Sequence, residues 1–399
     1  MTQIDTQRLT RLHERFHEKF GRSETPTSVF FAPGRVNLIG EYTDFTGGLV
    51  FPCAIRQGTT LLIRRTRNGQ YRFASTNFDL MAQLEQQEIN QTYGDNWINY
   101  PLGVLDQFVT RGVELDGFDC LYSGDVPNGA GLSSSASIEV VTAYALDALL
   151  GTDLPLMQLV HMAQAAERDF VGMQCGIMDQ FAVAFANADH AMQLNCHTLQ
   201  HRQVPLNLDG YSIVVSNTNQ RRELNESAYN NRVSECRQAL ELLKPLSPIS
   251  HLGELKPEQL TRHKSVFEQA PVAWSRACHI AHENNRVRAA VPALETGNLA
   301  EFGQLMNASH DSLRDLFEVS SEPLDQLVRL AREQPSVLGS RLTGAGFGGC
   351  TVSLLPTNGI DLFVRQVGQG YTEATGLTAD FYTIEPGDGA RTINMGTVS

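Results

Sequence analysis

Gly129-Ala130-Gly131-Leu132-Ser133-Ser134-Ser135-Ala136 is a run of small residues without a charge. It follows an apolar strand pattern at 118–123 and opens an apolar helix pattern at 134–150. Glycine and serine let backbone N–H groups turn toward one point, and the helix N-terminus adds its partial positive charge. The combination is an anion cradle suited to phosphate. The serine hydroxyls can also cap the helix or reach a metal ion. A capped helix after a tight turn is the competing reading. The length of the loop, its lack of charge and its place between strand and helix favour phosphate. It is not a Walker-type loop, because G-K-[ST] occurs nowhere in the chain.

Outward from this loop, Leu9, Leu12, Phe16 and Phe20 repeat at helical spacing and predict a helix over 5–20. Strand patterns lie at 28–32, 59–65, 191–196 and 211–216, and helical patterns at 155–170 and through most of 226–332. A strand–loop–strand pattern spans 339–355, with one helix and one strand beyond it. Strands and helices mix without a strict β-α-β rhythm, which predicts an α+β fold rather than a doubly wound parallel sheet. The polar segment 197–210, with Pro205 and Gly210, reads as the border between two domains.

The 399 residues include 31 Lys and Arg against 44 Asp and Glu, a formal charge of −13. That balance argues against a nucleic-acid partner, which needs a basic face. No apolar run is long enough to cross a bilayer, so no membrane association is expected. The first twenty residues carry charges throughout and lack the apolar centre of a signal peptide. Seven scattered cysteines without a C-x-x-C pair predict reduced thiols in the cytoplasm. No pattern sets the oligomeric state, and a monomer is compatible with the chain.

Three further stretches carry chemistry. In Ala32-Pro33-Gly34-Arg35-Val36-Asn37-Leu38-Ile39-Gly40-Glu41-Tyr42-Thr43-Asp44, Arg35, Glu41 and Asp44 sit among small residues in a predicted loop. Carboxylates three apart suit a polyhydroxyl ligand, and Arg35 suits phosphate or developing charge. A solvated turn with a surface ion pair fits the composition equally well. Thr343-Gly344-Ala345-Gly346-Phe347-Gly348-Gly349 spells G-x-G-x-x-G, yet it runs into an apolar strand instead of opening a helix. Close backbone approach to a ligand or another loop explains its glycines better than a dinucleotide site. Asp179 stands near the start of a predicted helix, where an aspartate is more often a cap than a general base. His13 with His17, and His279 with His282, have helical metal-ligand spacing but no evident third ligand, and read as ordinary helix positions.

Together these stretches resemble the GHMP small-molecule kinase family over essentially the whole chain. A-P-G-R-V-N-L-I-G-E at 32–41, G-A-G-L-S-S-S-A-S at 129–137, G-I-M-D-Q at 176–180 and T-G-A-G-F-G-G-C at 343–350 match its motifs in order and spacing. The first stretch is similar to the branch that acts on galactose. The resemblance implies two α+β domains with the active site in the cleft between them: 1–205 with the sugar and ATP motifs, and 206–399, ferredoxin-like, with the 343–349 loop. It implies ATP-dependent phosphorylation of the anomeric C1 hydroxyl of α-D-galactose.

By the same resemblance Asp179 is the catalytic base, and Arg35 orients it, keeps it ionised and stabilises charge on the moving phosphoryl group. Gly129, Ala130, Gly131, Leu132, Ser133, Ser134 and Ser135 wrap the ATP phosphates. Ser135 and Glu167 hold Mg²⁺. Glu41, Tyr42, Thr43, Asp44, Gly176, Asp179 and Tyr229 line the sugar site. Trp97 and Tyr100 lie near adenine, with Ser75 a further nucleotide contact. The family pattern G-E-H-T-D-Y reads Gly40-Glu41-Tyr42-Thr43-Asp44-Phe45 here. Tyr42 stands where relatives carry a histidine near the sugar's C6, which leaves an N-acetylated or C6-altered galactose as an alternative substrate. A non-catalytic galactose sensor is the alternative of another class; the intact serine loop and Asp179 speak against it.

Overall fold

The computed structural model describes residues 6–94, 96–126, 131–220 and 225–394, with backbone only for Asn225 and Glu226. The first half runs α1 (Thr6–Phe20), β1 (Ser28–Asn37), β2 (Leu49–Val50), β3 (Pro52–Arg65), β4 (Gln70–Ser75), β5 (Met81–Glu85), α2 (Asn99–Thr110), β6 (Phe118–Gly124), α3 (Ser134–Leu150), α4 (Leu156–Ala165), α5 (Met178–Phe185), β7 (His190–Asn195) and β8 (His201–Pro205). The second runs β9 (Tyr211–Asn217), α6 (Asn225–Leu243), α7 (Pro257–Arg262), α8 (Pro271–Glu295), α9 (Leu299–Ser312), α10 (Glu322–Arg332), β10 (Gly339–Thr343), β11 (Cys350–Pro356), α11 (Ile360–Thr375), β12 (Asp380–Thr383) and β13 (Arg391–Thr392).

Side-chain alternation builds the first layers. Along β1 and β3, Phe30, Leu61 and Ile63 face one way and pack on Val140 of α3, Leu102 of α2 and Phe181 of α5. Val29 and Leu62 face the other way and take Leu12 and Phe16 of α1. The sheet order is β13-β1-β3-β6-β4-β5, antiparallel except for the parallel β4–β6 pair. A four-stranded antiparallel sheet, β10-β11-β9-β12, carries α10 and α11 on one face and α8 and α9 on the other. A small sheet, β2-β7-β8, joins the short β2, which lies between β1 and β3 in sequence, to the β7–β8 hairpin that precedes β9. Val36, Ile39 and Phe51 from the first half share a core with Val287, Val291 and Val352 from the second, so the halves meet through apolar contact.

The fold is α+β, as the mixed rhythm predicts. It differs from the sequence reading in three places that bear on the site. β1 does not end at 32: its register with β3 shifts between Pro33 and Arg35 and then continues to Asn37. A bulge accommodates a proline without an N–H and a glycine without a side chain, which is why the stretch reads as a loop. Arg35 therefore stands on a strand. The helix expected over 155–170 ends at Ala165 and passes into a wider π-helical turn, Ala166–Val171, which carries Glu167. The polar segment 197–210 contains β8, an exposed edge strand whose only buried residue is Val204. β4, β5 and α2 had no distinct sequence signal; α2 contains Pro101 and Gly103.

Candidate active site

A cavity of about 230 Å³ brings together Arg35, Glu41, Tyr42, Asp44, Gly131, Ser133, Ser134, Ser135, Glu167, Gly176, Asp179 and Tyr229. They come from β1, the loop after it, the serine loop and the start of α3, the π-helical turn, the loop before α5, α5 and α6. Gly129 and Ala130 lie outside the described residues.

At its centre Arg35 and Asp179 form a two-pronged ion pair. Arg35 Nε donates to Asp179 Oδ1 at 2.8 Å and Nη2 to Oδ2 at 2.7 Å. Nη1 donates to the Gly131 carbonyl at 2.8 Å. Burial works against the Arg35 cation, but Asp179, Glu41 and Asp44 outweigh it and hold the guanidinium above its ordinary value. Asp179 does not cap its helix: the capping position is Ile177, and the aspartate bonds outward. Ser133 also departs from the capping role. It sits before α3 with a left-handed backbone (φ 58°), and its hydroxyl donates to Asp179 Oδ2 at 2.5 Å. The backbone N–H of Arg35 donates to the Leu132 carbonyl at 3.1 Å, which docks the serine loop on β1.

The acidic loop is braced from the second half of the chain. Glu41 is buried and accepts from the Gly344 N–H at 2.5 Å and the Thr343 hydroxyl at 3.1 Å, with Arg341 at 3.5 Å. Asn37 also donates to it. Gly40 N–H donates to Glu283 at 2.9 Å, and the buried His279 ring meets the Glu41 carbonyl at 3.1 Å. His279 is therefore a structural brace; burial lowers it to about 4, so it is neutral. Among the described residues no group of three or more His, Cys, Asp or Glu can hold a metal ion.

Asp44 opens a short 3-10 turn, and burial plus the Asp179 charge push it up to about 7. A Cβ at Gly176 would lie 2.1 Å from Asp44 Oδ2, so only glycine lets the carboxylate occupy this place. Tyr42 takes a left-handed backbone (φ 65°). Its ring packs on Phe317 and Tyr229, with centroids 4.6 and 5.4 Å away, and its hydroxyl donates to the Ala345 carbonyl. Burial and Asp44 hold the Tyr229 phenol well above its ordinary value. Thr43 is placed differently from the sequence expectation. It is fully buried outside the cavity lining, and its hydroxyl bonds the Leu49 carbonyl at 2.7 Å.

A second cavity of about 350 Å³ meets the first at Tyr100, Ser134 and Ser135 and is lined by Ser75, Phe78, Trp97 and Tyr122. Trp97 stacks on Phe78 with centroids 6.3 Å apart. Phe78 escaped the sequence reading because a lone phenylalanine beside Asn77 and Asp79 has no periodicity. In the first cavity, Glu167 is pushed up to about 7 by burial and the Asp179 charge. Gly344 explains part of the glycine-rich 343–349 loop: a Cβ there would meet the Gly131 carbonyl at 2.8 Å. The loop approaches another loop, as its context predicts.

The α+β fold and its serine loop belong to a class of small-molecule kinases, as two matches to family models show. Residues 99–187 match the model of the GHMP kinases N terminal domain and residues 290–372 that of the GHMP kinases C terminal domain. Mevalonate kinase of Methanococcus jannaschii shares the fold at 18% identity, with a TM-score of 0.63 over 94% of this chain and 100% of that one.

Within that class the chain belongs to the galactokinase family. Residues 14–65 match the galactokinase galactose-binding signature. The chain is 46% identical over 365 residues to a galactokinase of Fusobacterium nucleatum, covering 90% of this chain and 94% of that one. It is 45% identical over 379 residues to that of Bacillus subtilis, covering 94% and 97%. The solved Lactococcus lactis galactokinase complexed with galactose superposes with a TM-score of 0.94 at 40% identity, covering 96% of this chain and 100% of that one.

Proposed function

We propose that this chain transfers the γ-phosphoryl group of ATP to the anomeric C1 hydroxyl of α-D-galactose, giving galactose 1-phosphate and ADP. The observation that carries the mechanism is the forked Arg35–Asp179 pair, set in one cavity between the acidic loop and the serine loop. Phosphoryl transfer asks mainly for positioning and charge neutralisation. Asp179 accepts the C1 hydroxyl proton as oxygen attacks phosphorus. Arg35 holds the carboxylate in one orientation and places a buried cation beside the transferring group. Glu41, Asp44, Gly176, Tyr42 and Tyr229 form the sugar pocket, with the braces from Glu283, His279 and Gly344 keeping the loop in place.

The serine loop receives the phosphates, and the cavity lined by Phe78, Trp97 and Tyr122 takes the base. Ser135, which lines both cavities, and Glu167, which lines the first, offer hard oxygen ligands close together, which suits Mg²⁺. When bound, the ion neutralises phosphate charge. The domain border lies at 205/206: β8 ends in the three-stranded sheet at Pro205, and β9 opens the four-stranded sheet at Tyr211. Residues 387–392 then return to the first sheet through Gly387 and β13. All seven cysteines are free, which fits a reducing cytoplasm, and no described helix is long and apolar enough to cross a membrane.

The test is ADP release over a panel of hexoses, with phosphorus NMR to locate the new ester. Turnover of galactose with phosphate at C1 supports the reading. A preference for an N-acetylated or C6-altered galactose overturns the substrate, and no turnover of any hexose overturns the activity.

A further inference from the structure

Behind Glu167, away from the cavity, lies a carboxyl group that the mechanism does not use. Glu139, on α3, is completely buried. Between the two acids stands Gln180, the residue after Asp179. Its Nε2 donates to Glu167 Oε2 at 2.6 Å and to Glu139 Oε2 at 3.0 Å. Both protons of one amide nitrogen are thus committed, one to each acid. Among the described residues, two atoms of this cluster are buried without a hydrogen-bond partner: Glu139 Oε1 and Gln180 Oε1. The strongest charges acting on Glu139 and Glu167 are other carboxylates, and among the described residues neither acid forms an ion pair.

A buried carboxyl that neither touches substrate nor pairs with a cation is costly to keep. Its placement here has a use. A glutamine amide can turn over about its last torsion, presenting oxygen where nitrogen stood. With oxygen toward Glu167, the amide would push against the carboxylate instead of holding it. Glu139 supplies a second acceptor on the nitrogen side, so the amide is held with its N–H groups toward both acids. A proton on Glu139 Oε1, favoured by its burial and by the Glu167 charge, would let it donate to Gln180 Oε1. Such an acid–amide ring would give both of those oxygens a partner.

We propose that Glu139 is a positioning residue that acts through Gln180 to fix the Glu167 carboxylate beside Ser135, ready for the divalent cation of the nucleotide. The proposal rests on Glu167 being a ligand of that cation. Outer partners of metal ligands typically change metal affinity about 10–100-fold when removed.

The experiment uses the full chain and Mn²⁺ as a probe, its binding in the presence of ADP read by electron paramagnetic resonance. Glu139→Leu should raise the Mn²⁺ dissociation constant and the Mg²⁺ needed for half activity about tenfold, with the KM for galactose nearly unchanged. Glu139→Gln keeps the shape of a neutral acid, with one donor and one acceptor, and should stay close to the parent in both. Should Glu139→Leu fail to fold, Gln180→Met breaks the same relay from the other side and should show the same metal defect. Glu167→Gln is run alongside. If it weakens Mn²⁺ binding while Glu139→Leu and Gln180→Met do not, Glu139 has only a packing role and the proposal is overturned. If Glu139→Gln is as impaired as Glu139→Leu, the acid–amide arrangement is overturned. If Glu167→Gln itself binds Mn²⁺ like the parent, the metal assignment fails and the proposal with it.

Discussion

Replacing Asp179 by Asn keeps the outline of the side chain and removes its charge and one of its two acceptors. In the parent, Oδ1 receives Arg35 Nε, while Oδ2 receives both Arg35 Nη2 and the Ser133 hydroxyl. Whichever way the new amide turns, its NH₂ group meets the guanidinium or the pair formed by Nη2 and the hydroxyl. A donor then faces a donor, and the Arg35 side chain, only 5% exposed, loses its anion. Breaking a fully buried pair from one side costs about 3–5 kcal/mol. The Asp179 side chain is 25% exposed, so water offsets part of that loss, and about 2 kcal/mol of stability is expected to go. Loss of a general base alone lowers turnover about 10²–10⁴-fold. Coupled ADP release should therefore show kcat reduced at least about a hundredfold, while calorimetry still detects galactose and ADP binding. A variant that melts earlier yet turns over within about threefold of the parent would refute the reasoning, because Asp179 would then serve only to neutralise Arg35.

Ser135→Ala and Glu167→Gln should each raise the Mg²⁺ concentration for half activity about tenfold, and unchanged titrations in both would remove them from the metal site. Tyr42→His shortens the side chain, frees the Ala345 carbonyl and opens space beside Phe317 and Tyr229. The ratio of kcat/KM for galactose to that for 6-deoxygalactose should change, and an unchanged ratio would mean Tyr42 does not read C6. Acid stability follows from opposing groups. Burial opposes the Glu283 charge, but Arg286, His279 and Arg341 outweigh it and hold Glu283 at about 2, so its contribution is present above its ordinary 4.5 and lost as pH falls toward 2. His279, lowered by burial to about 4, contributes above 6.5 and loses that as pH falls through 4. Asp44 and Glu167, raised to about 7, contribute below their ordinary values and lose it as pH rises through 7. Thermal melts without ligand should thus hold up between pH 7.5 and 5 and drop below pH 4.5, and Glu283→Gln should flatten the acid drop; a drop of equal steepness in that variant would reject Glu283 as its source.

What the sequence determined by itself was local. The periodicity of Leu9, Leu12, Phe16 and Phe20 specifies α1, and the run from Ser134 to Leu150 is α3 with the expected bounds. Such patterns are legible because a helix face repeats within a few residues and needs no knowledge of its partner. The motif residues were also legible as candidates, since small residues, an arginine and carboxylates in short loops carry their chemistry on their face. Their assignments were not. Asp179 reads as a cap because the arginine that claims it lies 144 residues earlier. Arg35 reads as a loop residue because only pairing with β3 across a bulge makes it part of a strand. Thr43 reads as one more polar member of the acidic loop, and its burial against Leu49 follows from the way that loop folds back on itself. Glu41 is held by Thr343 and Gly344, about three hundred residues away, and no local pattern could connect them. Glu139 and Gln180 look like ordinary helix residues until α3 and α5 are packed together. Propensity and spacing act over a turn or a strand. The partner of a buried charge is chosen by how distant elements pack, because taking the charge out of water is tolerable only where that packing delivers a counter-charge or a donor.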